Sequence, residues 1–139
     1  MRLPKRVIPV YPAADRAPNT RVVDALVREI AAALSSYLRT QQGHVIDLTG
    51  MPLSEGDRRY LDDHLGRGET NIDIRALLDT HIEETRYPGV WRVRHHGPDG
   101  EVQCERIEIT DVPEIVRAST SDIERSARRL VAAKSEEGE

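Results

Sequence analysis

The side chains best suited to chemistry lie in one stretch, residues 84–115. It holds the only cysteine, Cys104, and a basic run of Arg86, Arg92, Arg94, His95 and His96. A thiol becomes a nucleophile when a nearby base or positive charge lowers its pKa. One hypothesis is therefore a small ligand-binding or thiol-enzyme domain that uses Cys104 and the Arg/His strand. The simpler interpretation is that Cys104 is a small strand residue, buried or half-buried.

The basic run itself allows other interpretations. It could contact a phosphate, a nucleic acid or an acidic protein. However, glutamates lie close to it in sequence, and cross-strand ion pairs are the simpler explanation; they are Glu83, Glu84, Glu101, Glu105 and Glu108. The formal charge is -4 and the isoelectric point about 5.8. This balance argues against a dedicated nucleic-acid binder, so we expect no nucleic-acid partner.

Metal sites and known catalytic signatures are not indicated. His95 and His96 are adjacent on a predicted strand, so their side chains would point to opposite faces. Asp63 and His64 are neighbours on a predicted helix and face different directions. A single cysteine excludes an internal disulfide and a multi-thiolate site within the chain. The motifs GxSxG, GxxxxGK[ST], GxGxxG and HExxH are missing. We expect no catalytic residue, no cofactor, no metal and no enzyme activity.

A predicted β-hairpin positions these side chains. Residues 90–96 and 102–110 are rich in β-branched residues, and Gly-Pro-Asp-Gly at 97–100 is typical of a turn. The apolar residues of the second strand change parity, with Val102 and Cys104 in one phase and Ile107 and Ile109 in the other. A β-bulge near residues 105–106 would turn both pairs towards the core.

Helices and further strands flank the hairpin. Apolar residues at three- and four-residue steps predict a helix over 20–40. Ser54 and Asp57 predict a capping box for a second helix that ends at Gly66, and Ser121 and Glu124 predict one for a last helix. Extended segments are predicted at 45–48, 71–74 and 81–86. The predicted fold is α+β, an antiparallel sheet of three to five strands with helices packed on one face. The predicted core contains Leu26, Ile30, Leu34, Leu61, Trp91, Val93, Ile107 and Ile109.

The chain of 139 residues has the length of one domain. We expect a Pro-rich arm at 1–18, a single domain at 19–133 and a disordered tail at 134–139. No apolar run approaches the roughly 20 residues that span a bilayer. Prolines at positions 4, 9 and 12 interrupt the apolar run that a signal peptide needs. These features favour a cytoplasmic protein with no membrane partner.

Two blocks of sequence resemble a known family. They are GVWRVRH with IEITDVPEIV, within residues 89–116, and MPLSEGDRRYLDDHLGRGE at 51–69. Both are similar to the C-terminal domain of hydrogenase expression/formation proteins of the HupH/HyaF type, and the length resembles the short HupJ/HoxT-type members. The resemblance implies a non-enzymatic, chaperone-like role in [NiFe]-hydrogenase maturation. It implies binding to the iron–sulfur small subunit or to another maturation protein.

An open sheet edge indicates how such a protein could bind a partner. The candidate edges are residues 72–75 and the arm at 7–10. An edge can pair with a second copy or accept an extended client segment. We therefore expect a homodimer, or a monomer with one exposed edge. Tyr and Arg are enriched where interfaces carry energy, so Tyr87, Arg92 and Arg94 are the predicted partner-binding residues.

Overall fold

The fold is that of a computed structural model, which describes residues 20–137 of the chain. It contains three α-helices, five strands and one short 3₁₀ turn. In chain order these are α1 (Thr20–Thr40), β1 (His44–Asp47), α2 (Glu55–Leu65), β2 (Asn71–Ile74), β3 (Asp79–Glu84), β4 (Val90–His96), β5 (Val102–Ile109), the 3₁₀ turn (Glu114–Val116) and α3 (Thr120–Glu137). The predicted Pro-rich arm lies outside the described residues.

Local sequence signals explain the first two helices. The apolar side of α1 buries Val23, Leu26 and Ile30, as the spacing predicts. The capping box of α2 is formed: Ser54 Oγ accepts from the Asp57 N–H at 3.1 Å, and the Ser54 N–H donates to the Asp57 carboxylate at 3.0 Å. Gly66, with φ of 61°, follows the last turn of α2, so the predicted end is confirmed.

The strands form one antiparallel sheet in the order β1-β5-β4-β3-β2. The predicted hairpin is its centre, β4 and β5, with Val93 opposite Arg106. Helices α1 and α2 cover one face of the sheet, so the predicted α+β class is confirmed with five strands. In the described part of the chain β1 and β2 are the edge strands, and β2 corresponds to the predicted edge at 72–75.

The β-bulge is not where the sequence placed it. The register shifts between His95 and His96, which face Cys104 and Val102, so Gln103 is the extra residue. The prediction of a bulge near residues 105–106 is wrong. The shift puts Val102 on the same sheet face as Ile107 and leaves Cys104 on the opposite face. Val102 lies at the end of the hairpin and is 49% exposed. The tight Gly97–Gly100 turn accounts for the position, since the hairpin must absorb its irregularity next to that turn.

The core lies on both faces of the sheet. The larger cluster joins α1 and α2 to the strands, and includes Ile46, Leu48, Leu61, Val90, Ile107 and Ile109. A smaller cluster on the opposite face joins Ile82, Trp91 and Val93, with Ile72 and Ile74 against it. Every predicted core residue is buried except Leu34, which is half-buried beside α2.

The last helix differs most from the prediction. Ser119 caps it, since its Oγ accepts from the Asp122 N–H at 3.1 Å, so the predicted capping box of Ser121 and Glu124 is wrong. The helix continues to Glu137, into the segment that the sequence assigned to the tail. All its described side chains, residues 120–135, are exposed. Within residues 20–137, no helix is long and apolar enough to cross a membrane.

Candidate functional site

One buried carboxylate organises the charged centre of the molecule. Glu105 of β5 is 6% exposed, and three guanidinium groups surround it. Arg58 of α2 donates to one carboxylate oxygen, Arg92 of β4 donates to the other at 2.9 Å, and Arg94 lies 3.7 Å away as an ion pair. The three arginines converge because the register sets Arg94 opposite Glu105 while α2 lies across the same sheet face.

The arginines decide the charge of this carboxylate. Burial alone would raise the pKa of Glu105, since water no longer solvates the charged form. The charges of Arg94, Arg92 and Arg58, with the Arg92 hydrogen bond, outweigh burial and hold the pKa below its ordinary value. Glu105 is therefore a carboxylate at neutral pH, and its charge is compensated within the protein.

Arg92 is itself almost fully enclosed. It is 6% exposed and forms a second ion pair with Asp62 of α2. Desolvation by burial and the neighbouring Arg94 charge lower the pKa of Arg92, and Glu105 opposes that shift. Its Nε finds no hydrogen-bond partner among the described residues. The cross-strand ion-pair interpretation of the basic run is thus confirmed for Arg92 and Arg94.

A groove of about 450 Å³ opens beside this network, between α2 and the hairpin. We call it the arginine groove; its charged lining is Glu55, Arg58, Arg59, Asp62, Arg92, Arg94 and Glu105. The side chains of Arg94 and Arg58 are 26% and 31% exposed, so each also faces solvent. A guanidinium has five N–H donors and binds carboxylates with two of them. The groove is therefore chemically suited to an acidic side chain of a partner.

Cys104 lies at the same groove without a catalytic neighbour. It is half-buried and stands opposite His95 in the sheet register. His95 is used elsewhere, since its Nδ1 bonds Thr80 Oγ1 at 2.7 Å and its Nε2 lies 3.1 Å from an Arg106 nitrogen. Burial, followed by the Arg106 charge, lowers the pKa of His95. No described hydrogen bond links the thiol to a base, so the geometry lends no support to the thiol-enzyme hypothesis.

Tyr87, the third predicted contact residue, lies apart from the arginine groove. It is 46% exposed in the turn between β3 and β4 and lines a smaller, apolar groove against α1 and α2. The guanidinium of Arg86 lies 6.0 Å from its ring centre. The structure thus brings Arg92 and Arg94 together and leaves Tyr87 on another surface. A partner-binding role for these residues stays a prediction.

The histidines do not gather into a metal site. His44 pairs with Glu29 at 3.0 Å, His81 pairs with Asp73 at 2.6 Å, and His64 stacks edge-on against Tyr60. In the part of the chain that the structure describes, no three His, Cys, Asp or Glu side chains are placed to hold a metal ion.

Sequence reasoning missed the part that α2 plays in the site. Arg58 and Asp62 both bond into the network, yet they lie 47 and 30 residues from their partners. Their spacing of four residues, next to the buried Leu61, puts them on one side of α2. That spacing is the only signal that could have identified them, because their contact exists only once α2 packs on the sheet.

Known proteins are similar to this chain in sequence and in fold. Residues 22–135 match the family model of the HupH hydrogenase expression protein, C-terminal conserved region. The hydrogenase expression/formation protein HoxQ of Azotobacter vinelandii is 30% identical over 109 residues, which is 78% of this chain and 36% of HoxQ. The hydrogenase-1 operon protein HyaF of Escherichia coli K12 is 35% identical over 112 residues, which is 78% of this chain and 39% of HyaF.

A solved structure of a related protein has a similar fold. The hydrogenase expression protein HupH from Thiobacillus denitrificans ATCC 25259 superposes with a TM-score of 0.78 at 34% identity, over 83% of this chain and 96% of that one. The chain spans roughly a third of the length of the curated relatives it matches, between 31% and 39%. By sequence and by fold, the chain belongs to the HupH family of hydrogenase expression/formation proteins, in their C-terminal conserved region.

Proposed function

We propose that this protein is a cytoplasmic, non-enzymatic accessory factor in the maturation of [NiFe]-hydrogenase. The observation that supports this most is the match of the family model across residues 22–135, because it includes all three described helices and the whole sheet. The relatives are named for hydrogenase expression and formation. The proposed client is the iron–sulfur small subunit or another maturation protein.

Client capture is proposed to use the arginine groove. Arg94 is the best candidate contact, because it binds Glu105 only through a 3.7 Å ion pair and keeps other N–H donors for a ligand. Arg92 would hold the shape of the groove, since Asp62 and Glu105 already occupy its terminal nitrogens. An acidic side chain of the client would then complete the charge balance at the groove surface.

The open edge of β2 is proposed as a second contact. Ile72 and Ile74 of this strand pack inwards, while its outer backbone groups have no neighbouring strand among the described elements. An extended client segment could pair there by backbone hydrogen bonds. Tyr87 is retained as a proposed contact on the α1–α2 side.

The test is a capture experiment with Arg94→Gln, which keeps the size of the side chain and removes the charge. Cells that express a hydrogenase would supply the client, and co-purifying subunits would be identified and quantified. We expect about tenfold less small subunit, as for the loss of a charged contact at an interface. Arg39→Gln, on the exposed last turn of α1, is the matched control and should capture as the natural protein does.

Two outcomes would count against this function. Equal capture by Arg94→Gln and the natural protein would remove the arginine groove from client binding. Failure of the natural protein to capture any hydrogenase subunit or maturation protein, with its fold intact by circular dichroism, would contradict the accessory role itself.

A further inference from the structure

Helix α3 exposes an apolar stripe that no described element covers. Ile123 is 58% exposed, Leu130 72% and Val131 68%, and Ala127 lies between them on the same side of the helix. Most of the stability of a helix in a protein comes from packing its apolar side, and an isolated helix of this length is marginal in water. A stripe of this kind indicates a binding partner.

The same chain exposes an apolar groove between α1 and α2. Val27, Ile30, Ala31, Leu34 and Leu65 line it, with His64 and Tyr87 at its rim, and its volume is about 160 Å³. Beyond the groove, Leu38 continues the line along α1 and is 80% exposed. No described helix or strand occupies this groove.

The stripe and the groove have matching residue patterns. Val27, Ala31 and Leu34 recur on α1 at steps of four and three residues, large, small and large. On α3, Ile123, Ala127 and Leu130 recur at the same steps with the same order of sizes. Two helices with this spacing pack side by side with interlocking side chains, and an alanine in each seam allows a close approach.

The charges around the two surfaces are also complementary. Helix α2 forms one wall of the groove and brings Asp63 to its rim; its other carboxylates, Glu55, Asp57 and Asp62, lie at the arginine groove or in the helix cap. On α3, Lys134 follows Leu130 by one helical turn, so it lies on the same side as the stripe, and it is exposed. Asp63 is exposed beside His64 at the rim, where a basic side chain of α3 would meet it.

We propose that the occupant of the groove is α3 of a second copy of this chain. Each copy carries one stripe and one groove, so a two-fold exchange fills both grooves and covers both stripes without a further partner. This dimer contact differs from pairing through β2. It uses residues outside the arginine groove, so its failure would leave the client proposal intact.

The test is a charge swap read by sedimentation equilibrium on the full chain. Ala31→Glu in the groove and Ala127→Lys in the stripe each place a charged side chain in the apolar interface of the proposed dimer. Each should raise the dimer dissociation constant at least about tenfold. The matched controls are Ala32→Glu and Ala132→Lys, which lie on the far sides of the same helices and are exposed. They should dimerise as the natural protein does.

The rescue identifies the two surfaces as partners of each other. A mixture of the Ala31→Glu chain and the Ala127→Lys chain should form heterodimers, and the double variant should recover most of the lost dimerisation. A natural protein that stays monomeric at all concentrations would overturn the proposal. This holds also if the protein is monomeric because α3 packs into the groove of its own chain. A dimer that neither charge weakens would also overturn it, and this would favour the β2 edge.

Discussion

At the residue scale, the charged centre depends on Glu105. A buried carboxylate is costly unless opposite charges and hydrogen bonds compensate it. Here Arg58 and Arg92 supply both, Arg94 adds an ion pair, and Asp62 forms a second ion pair with Arg92. This five-residue network fixes α2 against the hairpin and shapes the arginine groove at the same time.

Replacing this carboxylate tests the network directly. Glu105→Gln keeps the shape but leaves three guanidinium groups around a neutral amide. We expect a loss of about 3 kcal/mol in the free energy of unfolding at pH 7, typical of a broken buried ion pair. Urea denaturation measures it. Glu101→Gln, an exposed change beside the hairpin turn, is the control and should change stability by less than about 0.5 kcal/mol.

The pH dependence has a defined sign. The folded protein lowers the pKa of Glu105. The ionised group therefore stabilises the fold at pH values above its ordinary pKa of 4.5. That contribution disappears as the pH falls below 4.5 and through the lowered pKa. The stability difference between the natural protein and Glu105→Gln should therefore shrink in acid. A difference that stays constant from pH 7 to pH 3 would show that the pKa of Glu105 is the same in the folded and unfolded protein, which would contradict this prediction.

At the element scale, the family motif after α2 has a steric explanation. Gly68 follows the helix end, and its N–H donates to the Glu84 carbonyl at 2.8 Å. A Cβ atom on Gly68 would lie 2.5 Å from the Thr85 carbonyl oxygen, closer than real Cβ contacts allow. The glycine lets the chain pass directly against the end of β3, so this motif is structural.

Gly68→Ala should therefore shift the backbone where α2 meets β3. We expect a loss of about 1–3 kcal/mol in the free energy of unfolding, as for other cases of overpacking. Gly50→Ala is the matched control, since a Cβ atom there has no neighbour within 4 Å. Thermal denaturation of both variants measures the contrast. Equal melting temperatures would show that the strand end yields to the methyl group.

At the scale of the whole molecule, α3 stands apart from the packed layers. The clusters that hold α1, α2 and the sheet together contain no α3 residue. The layers should fold without this helix.

A chain that ends at Ser119 tests this independence. At concentrations too low for association, it should unfold cooperatively with a free energy within about 0.5 kcal/mol of the full chain. Circular dichroism should show the loss of one helix. A truncated chain without cooperative unfolding would show that α3 supports the layers within one molecule.

The sequence determined the local structure of this protein. The spacing of apolar residues predicted α1, and the Ser54–Asp57 capping box predicted the start of α2. The Gly-Pro-Asp-Gly turn predicted the central hairpin. These features depend on residues a few positions apart, so their physics is present in the chain itself. The two sequence blocks also identified the family.

The long-range contacts depend on how the helices pack on the sheet. Arg58 meets Glu105 across 47 residues because α2 packs on the hairpin, and no local pattern encodes that meeting. The bulge lies at Gln103 and not at the predicted position, because the whole strand pair, including its turn, sets the register. The apolar side of α3 is visible in the sequence, but its exposure follows from where the sheet ends and which faces the other helices already cover.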